Sequence, residues 1–384
     1  MDSSLPPPAD SERSPRILIV RLSAHGDVIH ALPLLSAIKT QAPNAHVGWL
    51  VESSAASLLE NHPLIDQLHI ARRKEWLKQL RNPFCWGSVL SDALALLREL
   101  REAKYTVSLD VQGLLKSALW PFLARIPKRY GFKATREQAD VFYTDKLPPM
   151  NICDASRFAV ERYLDLARAI GCVVTVPEFH VPPVSEQIQQ HMDSLLGESD
   201  RLLVVLAPFT RWASKHWEIS YWPELMTALL QLNVRLVILG APGDQAATEA
   251  MLAALPVSVK SGSVLNLVGK TDWPDLYALF KRTQLLIGLD SAPLHVANAV
   301  GVPHIIGLYG PTAPGRTGPI GERHATLSTA LSCQPCFEHH CPIGTHDCMK
   351  QLQPEIVLAM ARRMLLESGA GLLSEDSTPG KVSS

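Results

Sequence analysis

Short apolar runs alternate with longer segments of helical spacing along most of this chain, and the runs end in polar turns. The first, RILIVRL from Arg16, breaks at Ser23-Ala24-His25-Gly26-Asp27 and leads into VIHALPLLSAIKTQ, whose apolar spacing predicts a helix. HVGWLVE predicts a strand, 55–61 a helix and 67–71 a further strand. A long amphipathic helix over 87–103 then precedes YTVSLDVQG, a strand entering a turn. The second half repeats the plan. LLVVLAP (202–208) reads as a strand, 209–217 as a polar loop, 221–232 as a helix, VRLVILG as a strand and the stretch from Gly243 as a helix. Leu285-Leu286-Ile287 ends at Asp290. The turn Ser291-Ala292-Pro293-Leu294-His295 opens a small-residue helix near 296–300, and 305–309 is the next strand. Such alternation predicts the α/β class, as two Rossmann-like doubly wound domains facing a cleft.

The expected division is a disordered lead-in over 1–15, a first domain over 16–178, a second over 179–353, a closing helix over 354–367 and a disordered tail over 368–384. VTVPEFHVPP, extended and proline-bounded, is the expected linker. A chain of 384 residues exceeds one ordinary core, which fits two domains. Lys and Arg number 36 against 37 Asp and Glu, a formal net charge of −1, so no global field calls for nucleic acid. No apolar run reaches the ~18 residues of a spanning helix, and the start lacks a signal-peptide core. The expectation is a cytoplasmic protein that meets a membrane by its surface.

Ligands of such domains sit beyond the carboxyl ends of strands, where helix N-termini attract phosphate. Asp290, Ser291 and His295 fall there and point to an anionic, hydroxyl-rich ligand. The first turn, SAHGDVIH, has a single glycine, against NAD or FAD bound through G-x-G-x-x-G, and no P-loop occurs. Seven cysteines include Cys85, Cys153 and Cys172, read as small buried residues, and a cluster of Cys333, Cys336, Cys341 and Cys348. Thiolates with neighbouring histidines suit zinc, but C-x2-C-x4-C-x6-C is not a paired-knuckle spacing, so zinc and a reduced structural loop both stand.

RLSAHGDVIHALPLL, DVQGLLKSAL, GFKATRE, APFTRWASKHW, GAPGD and LDSAPLHVANAVGVPHIIGLYGPTAPG occur in this order. Together they resemble the heptosyltransferases of lipopolysaccharide inner-core assembly, glycosyltransferase family 9, with the GT-B fold. DVQGLLKS and ATRE look most like heptosyltransferase I, whereas CQPCFEHHCPIGTHDCM looks more like heptosyltransferase II. The resemblance covers roughly 16–365. It implies inverting transfer of heptose from ADP-heptose to the Kdo sugar of Kdo-lipid A, with no cofactor, on the cytoplasmic face of the inner membrane.

By that resemblance Asp27 is the candidate base, and Lys215 the candidate for neutralising the leaving diphosphate. Thr210 and Arg211 share the Lys215 loop. Backbone N–H groups over Ser291, Ala292, Pro293 and Leu294, with His295 beside them, are expected to hold phosphate, although Pro293 brings no N–H. Asp290 matches the sugar-site aspartate. Asp244 stands at the ribose position, where heptosyltransferase I commonly has Glu. Arg72, Arg73, Lys116, Ser117 and Arg136 are the candidates for gripping the acidic acceptor. ARRKEWLKQLRNPFCWGSVL interleaves bases with Trp76, Leu77, Phe84 and Trp86, as an interfacial membrane segment or a lid would. An epimerase on the same fold and a non-catalytic sugar-nucleotide binder are the competing readings.

Overall fold

The computed structural model describes residues 14–151, 154–257 and 262–367. The lead-in (Ser14 and Pro15 apart), the tail and Cys153 lie outside that set. Two compact units emerge, one of residues up to 189 with 315–317, the other of the remainder. Each is a doubly wound α/β domain, as the alternating pattern predicts.

The first unit carries β1 (Arg16–Val20), β2 (His46–Glu52), β3 (Gln67–Ala71), β4 (Val107–Asp110), β5 (Lys128–Phe132) and β6 (Asp145–Leu147). Around them run α1 (His25–His30), α2 (Leu32–Gln41), α3 (Arg73–Gln79), α4 (Trp86–Glu102), α5 (Leu115–Leu123) and α6 (Ala159–Ala169). The strands pair in the order β3-β2-β1-β4-β5-β6, all parallel. After α7 (Glu186–Leu196), the second unit has β7 (Leu202–Ala207), α8 (Tyr221–Leu230), β8 (Val234–Ile238), α9 (Gln245–Ala253) and β9 (Val264–Asn266). It continues with α10 (Trp273–Phe280), β10 (Leu285–Leu289), α11 (Ala292–Val300), β11 (His304–Tyr309) and β12 (Ala325–Ser328). Its order, β12-β11-β10-β7-β8-β9, is the first unit's read from the other edge. The strand order of each sheet therefore reverses once, between β1 and β4 and between β7 and β10, and a ligand crevice belongs at that point.

Burial explains why the runs became strands. Every position of β10 and β11 is buried, as in a parallel strand covered on both faces. In the second unit Val204, Leu206, Ile238, Ile287 and Ile306 pack with Trp217, Trp222 and Met226. Val357, Ala361 and Met364 of the closing helix Pro354–Glu367 complete that core. In the first, Leu18, Val20 and Leu50 pack with Leu96, Leu97 and Leu100, the apolar stripe of α4.

Two local expectations change. The helix over 55–61 is a short 3₁₀ segment, Ser53–Leu58, too brief for α-helical nucleation. The helix expected near 296 starts at Ala292, because proline is accommodated in a first helical turn. The stretch 174–183, expected as an extended linker, forms neither helix nor strand, and His180 fastens it to the first unit: its Nδ1 lies 2.9 Å from Ser36 Oγ, and its carbonyl 2.9 Å from His62 Nε2.

Gly48 of β2 is an obligatory small residue. A Cβ there would fall 1.8 Å from the Tyr105 hydroxyl oxygen, which is itself 2.7 Å from buried His69. Gly48→Ala is expected to destabilise the protein by about 1–3 kcal/mol through overpacking. Denaturant unfolding measures this, and an unchanged midpoint would contradict it.

Candidate functional site

At the first reversal point, β1 runs out into Arg21, which is buried although charged. Its guanidinium contacts Asp27 Oδ2 at 2.6 Å and donates to Val111 O at 3.1 Å, tying the ends of β1 and β4 together. Asp27 stands in the first turn of α1, where its carboxylate accepts from Ala24 N at 3.3 Å and from the Tyr163 hydroxyl at 3.4 Å. Burial works against its charge, but Arg21 and then His30 outweigh that and hold the carboxyl below the usual carboxylate range. Asp27 is thus an acid in the first turn of a helix, held in its ionised form.

Beside it, Glu52 at the end of β2 is 1% exposed, and both its carboxylate oxygens lack a hydrogen-bond partner. Arg73, Lys74 and Lys116 surround it at 3.6, 3.8 and 3.7 Å. Lys116 also donates to Ser23 Oγ at 3.1 Å, in the turn that carries Asp27. Burial lowers the Lys116 pKa against the pull of Glu52. Three cations around one buried carboxylate leave this face with a net positive charge. Arg72 is exposed at the start of α3. Arg136 is exposed on the loop after β5, which reaches the start of α5 through Glu137 Oε2, acceptor of the Leu115 N–H at 2.9 Å.

Ser117 departs from expectation. It is fully buried and donates to Asp110 Oδ2 at 2.8 Å, so it shapes the turn after β4 instead of meeting a ligand. Trp76 does too: it is 8% exposed and packs on Trp120 with ring centroids 6.0 Å apart. The apolar surface of this region is made instead by Phe84, 97% exposed, with Trp86, Leu77, Leu80 and Leu90.

At the second reversal point, Lys215 closes a short 3₁₀ turn (Ala213–Lys215) after β7 and reaches Asp290 at the end of β10. Its ammonium lies 2.7 Å from Asp290 Oδ2 and 3.1 Å from Asp290 O, and 4.4 Å from the centroid of the Trp212 ring. Thr312 donates to Asp290 Oδ2 at 2.7 Å, and His295 Nε2 is 3.3 Å from Oδ1. Burial opposes the Asp290 charge, but Lys215 and His295 hold the carboxyl far below the usual range. Asp290, expected at the sugar, is therefore engaged in aiming Lys215. Ser291 occupies the N-cap position of α11, its hydroxyl buried and without a hydrogen-bond partner. Leu294 gives its N–H to Ser291 O at 3.1 Å, and Pro293 has none, so neither adds the backbone donor expected of it. Ala292 and Pro293 form the half-buried opening of the helix.

Thr210 is half-buried, its carbonyl 2.7 Å from His216 Nε2, and Arg211 is exposed beside it. Asp244 turns back on its own loop, accepting from Ala241 N at 2.7 Å. That contact sets the loop after β8, and the shorter side chain spends one carboxylate oxygen there. Arg21, Tyr163, Glu52, Trp212 and Thr312 join the candidate residues through the fold. Arg21 and Glu52 carried a visible signal, each as a charge closing an apolar strand.

Cys333, Cys336, Cys341 and Cys348 line one pocket with Ser214 and His346, all as free thiols. Among the described residues, no three His, Cys, Asp or Glu side chains are arranged to hold a metal ion. Cys348 is buried and its thiol is pushed up to about 11. Backbone N–H groups, led by that of His346, pull the Cys341 thiol down. Cys172 is buried as expected, whereas Cys85 is only partly so.

Comparison with known proteins gives these sites a context. Residues 93–346 match the model of glycosyltransferase family 9 (heptosyltransferase). The chain is 27% identical to lipopolysaccharide heptosyltransferase 1 of Pseudomonas aeruginosa, over 91% of this chain and 98% of that one. It is 25% identical to lipopolysaccharide heptosyltransferase 2 of Salmonella typhimurium, over 92% and 99%. The solved E. coli ADP-heptose lipopolysaccharide heptosyltransferase II superposes with a TM-score of 0.73 at 23% identity, over 92% of this chain and 100% of that one. An E. coli heptosyltransferase solved with ADP gives 0.70 at 22%, over 91% and 99%, and these two likenesses speak for the fold.

The Arg21–Asp27 pair has a measurable consequence. Arg21→Met is expected to raise the Asp27 pKa, since the removed guanidinium favours the charged form. Carboxyl NMR titration follows it, and an unshifted Asp27 would contradict the pairing.

Proposed function

The chain belongs to glycosyltransferase family 9, and from that premise we propose that it transfers heptose from ADP-heptose to the Kdo sugar of Kdo-lipid A. The observation that carries the reading is Lys215, a cation aimed by Asp290 and Trp212 at the reversal point of the second sheet, beside the N-terminus of α11. A leaving diphosphate gains negative charge as its bond to the sugar breaks, and a fixed ammonium with helix N–H groups meets that charge. Arg211, Thr210 and the Ser291 hydroxyl are the further donors there, and the Asp244 loop is the ribose side.

The acceptor hydroxyl attacks the anomeric carbon from the face opposite the diphosphate. The new C–O bond forms as the old one breaks, the configuration inverts, ADP leaves and the hydroxyl proton passes to Asp27. A carboxylate with a depressed pKa is a weak base, but it is ionised at neutral pH, and an attacking hydroxyl becomes acidic as its oxygen bonds to an oxocarbenium-like carbon. Lys116, Arg73, Lys74, Arg72 and Arg136 give the acceptor's carboxylates and phosphates a cationic face. No resident cofactor enters this scheme. An epimerase is set aside by family membership. An already heptosylated acceptor is the second reading, favoured by the cysteine segment.

Asp27→Ala is expected to lower kcat by about 10²–10⁴-fold with ADP-heptose binding retained, because the base acts on the acceptor. Turnover and donor titration together measure this. Near-normal turnover would remove Asp27 from the role.

An acceptor anchored in lipid calls for contact with a bilayer, on the cytoplasmic face of the inner membrane in this reading. Among the described residues no helix is long and apolar enough to cross one. Phe84, Trp86, Leu77, Leu80 and Leu90, flanked by Lys78 and Arg81, form the docking face we assign to that contact. Phe84→Ala/Trp86→Ala should reduce flotation with anionic vesicles at least about tenfold, each ring forfeiting apolar burial. Flotation equal to wild type would rule this face out.

A further inference from the structure

Residues 333–348 take no part in the reaction as described, yet they hold the loop that presents Lys215. Ser214, the residue before that lysine, is buried, and its three polar groups all meet this segment. Its N–H donates to His339 O at 3.1 Å, its hydroxyl donates to Glu338 O at 2.5 Å, and its carbonyl lies 2.7 Å from His346 Nε2. For that last contact the proton sits on Nε2, since a carbonyl only accepts. Two residues earlier, Trp212 stacks on the ring of His339, centroids 4.0 Å apart and planes 25° apart. The Lys215 ammonium lies 4.4 Å from the centroid of the same Trp212 ring.

His346 is itself fixed from behind. Its backbone N–H donates to Cys341 Sγ at 3.4 Å, and its Nδ1 faces Glu218 Oε1 at 3.9 Å. Cys341 belongs to the four-thiol pocket, so the cysteines, His346, Ser214 and Lys215 form one connected series of contacts. Lysine has a flexible four-carbon stem, and a point charge serves a leaving group only where it is held in place. Asp290 and Thr312 fix the ammonium end, and segment 333–348 fixes the backbone end.

We propose that segment 333–348 is a brace that sets Lys215 against the donor diphosphate, with His346 as its positioning residue. The proposal rests on the reading of Lys215 as the diphosphate lysine. A catalytic group displaced by about 1 Å loses rate on the order of 100-fold, so the brace acts on kcat more than on donor affinity.

The test is a double-mutant cycle on the full chain, with ADP-heptose and Kdo2-lipid A as substrates. His346→Ala should lower kcat roughly tenfold to 100-fold with a smaller change in donor KM. His346→Gln, whose side-chain amide can donate to Ser214 O, should restore most of it. In a Lys215→Ala background, His346→Ala should cost little more. Equal losses in both backgrounds, or a Gln variant no better than Ala, would overturn the brace. If Lys215→Ala alone turns over like wild type, the Lys215 reading fails and the brace falls with it. Should His346→Ala not yield folded protein by thermal melting, Ser214→Ala removes just the hydroxyl contact, and the same cycle decides.

Discussion

A charge taken out of water at the end of a buried strand must be paired, and this chain meets that constraint at the reversal point of each sheet. In the first unit Arg21 leaves β1 and closes on Asp27; in the second Asp290 leaves β10 and closes on Lys215. Removing one partner of such a pair strands a buried charge at a cost of about 3–5 kcal/mol, so each pair fixes its surroundings. The pairing is also chemical. One pair leaves a carboxylate ionised at a helix start, and the other leaves an ammonium aimed at a helix N-terminus. In the proposed reading the first takes the acceptor's proton and the second meets the donor's phosphate, each at the reversal point of its own sheet.

Much of the fold is legible in the apolar runs because parallel strands buried on both faces leave continuous aliphatic stretches, as LLVVLA and HIIGLY do. Shorter elements carry no period to read. β9, three residues long, and β6, equally short, become strands only through pairing with β8 and β5. The start of α11 is mistaken by four residues because Pro293 reads as a breaker in sequence but sits comfortably in a first turn.

The candidate site residues divide the same way. Asp27, Lys215, Asp290 and His295 follow strands in motifs and are legible. Their partners are not: Tyr163 meets Asp27 from 136 residues away, and Thr312 meets Asp290 from 22. Side-chain direction is also hidden in sequence. Trp76 and Phe84 sit in one basic-aromatic stretch, yet Trp76 packs inward on Trp120 while Phe84 faces solvent. The cysteine segment shows the limit of spacing arguments most clearly, since its contacts to Ser214 cross more than a hundred residues.

The central claim is sugar transfer to a lipid-anchored acidic acceptor. Its most direct test is mass spectrometry of acceptor incubated with the purified full-length chain and ADP-heptose, comparing Kdo2-lipid A with the already heptosylated core. One heptose should be added to Kdo2-lipid A with release of ADP. Addition only to the heptosylated core, or release of ADP with neither acceptor modified, would contradict it.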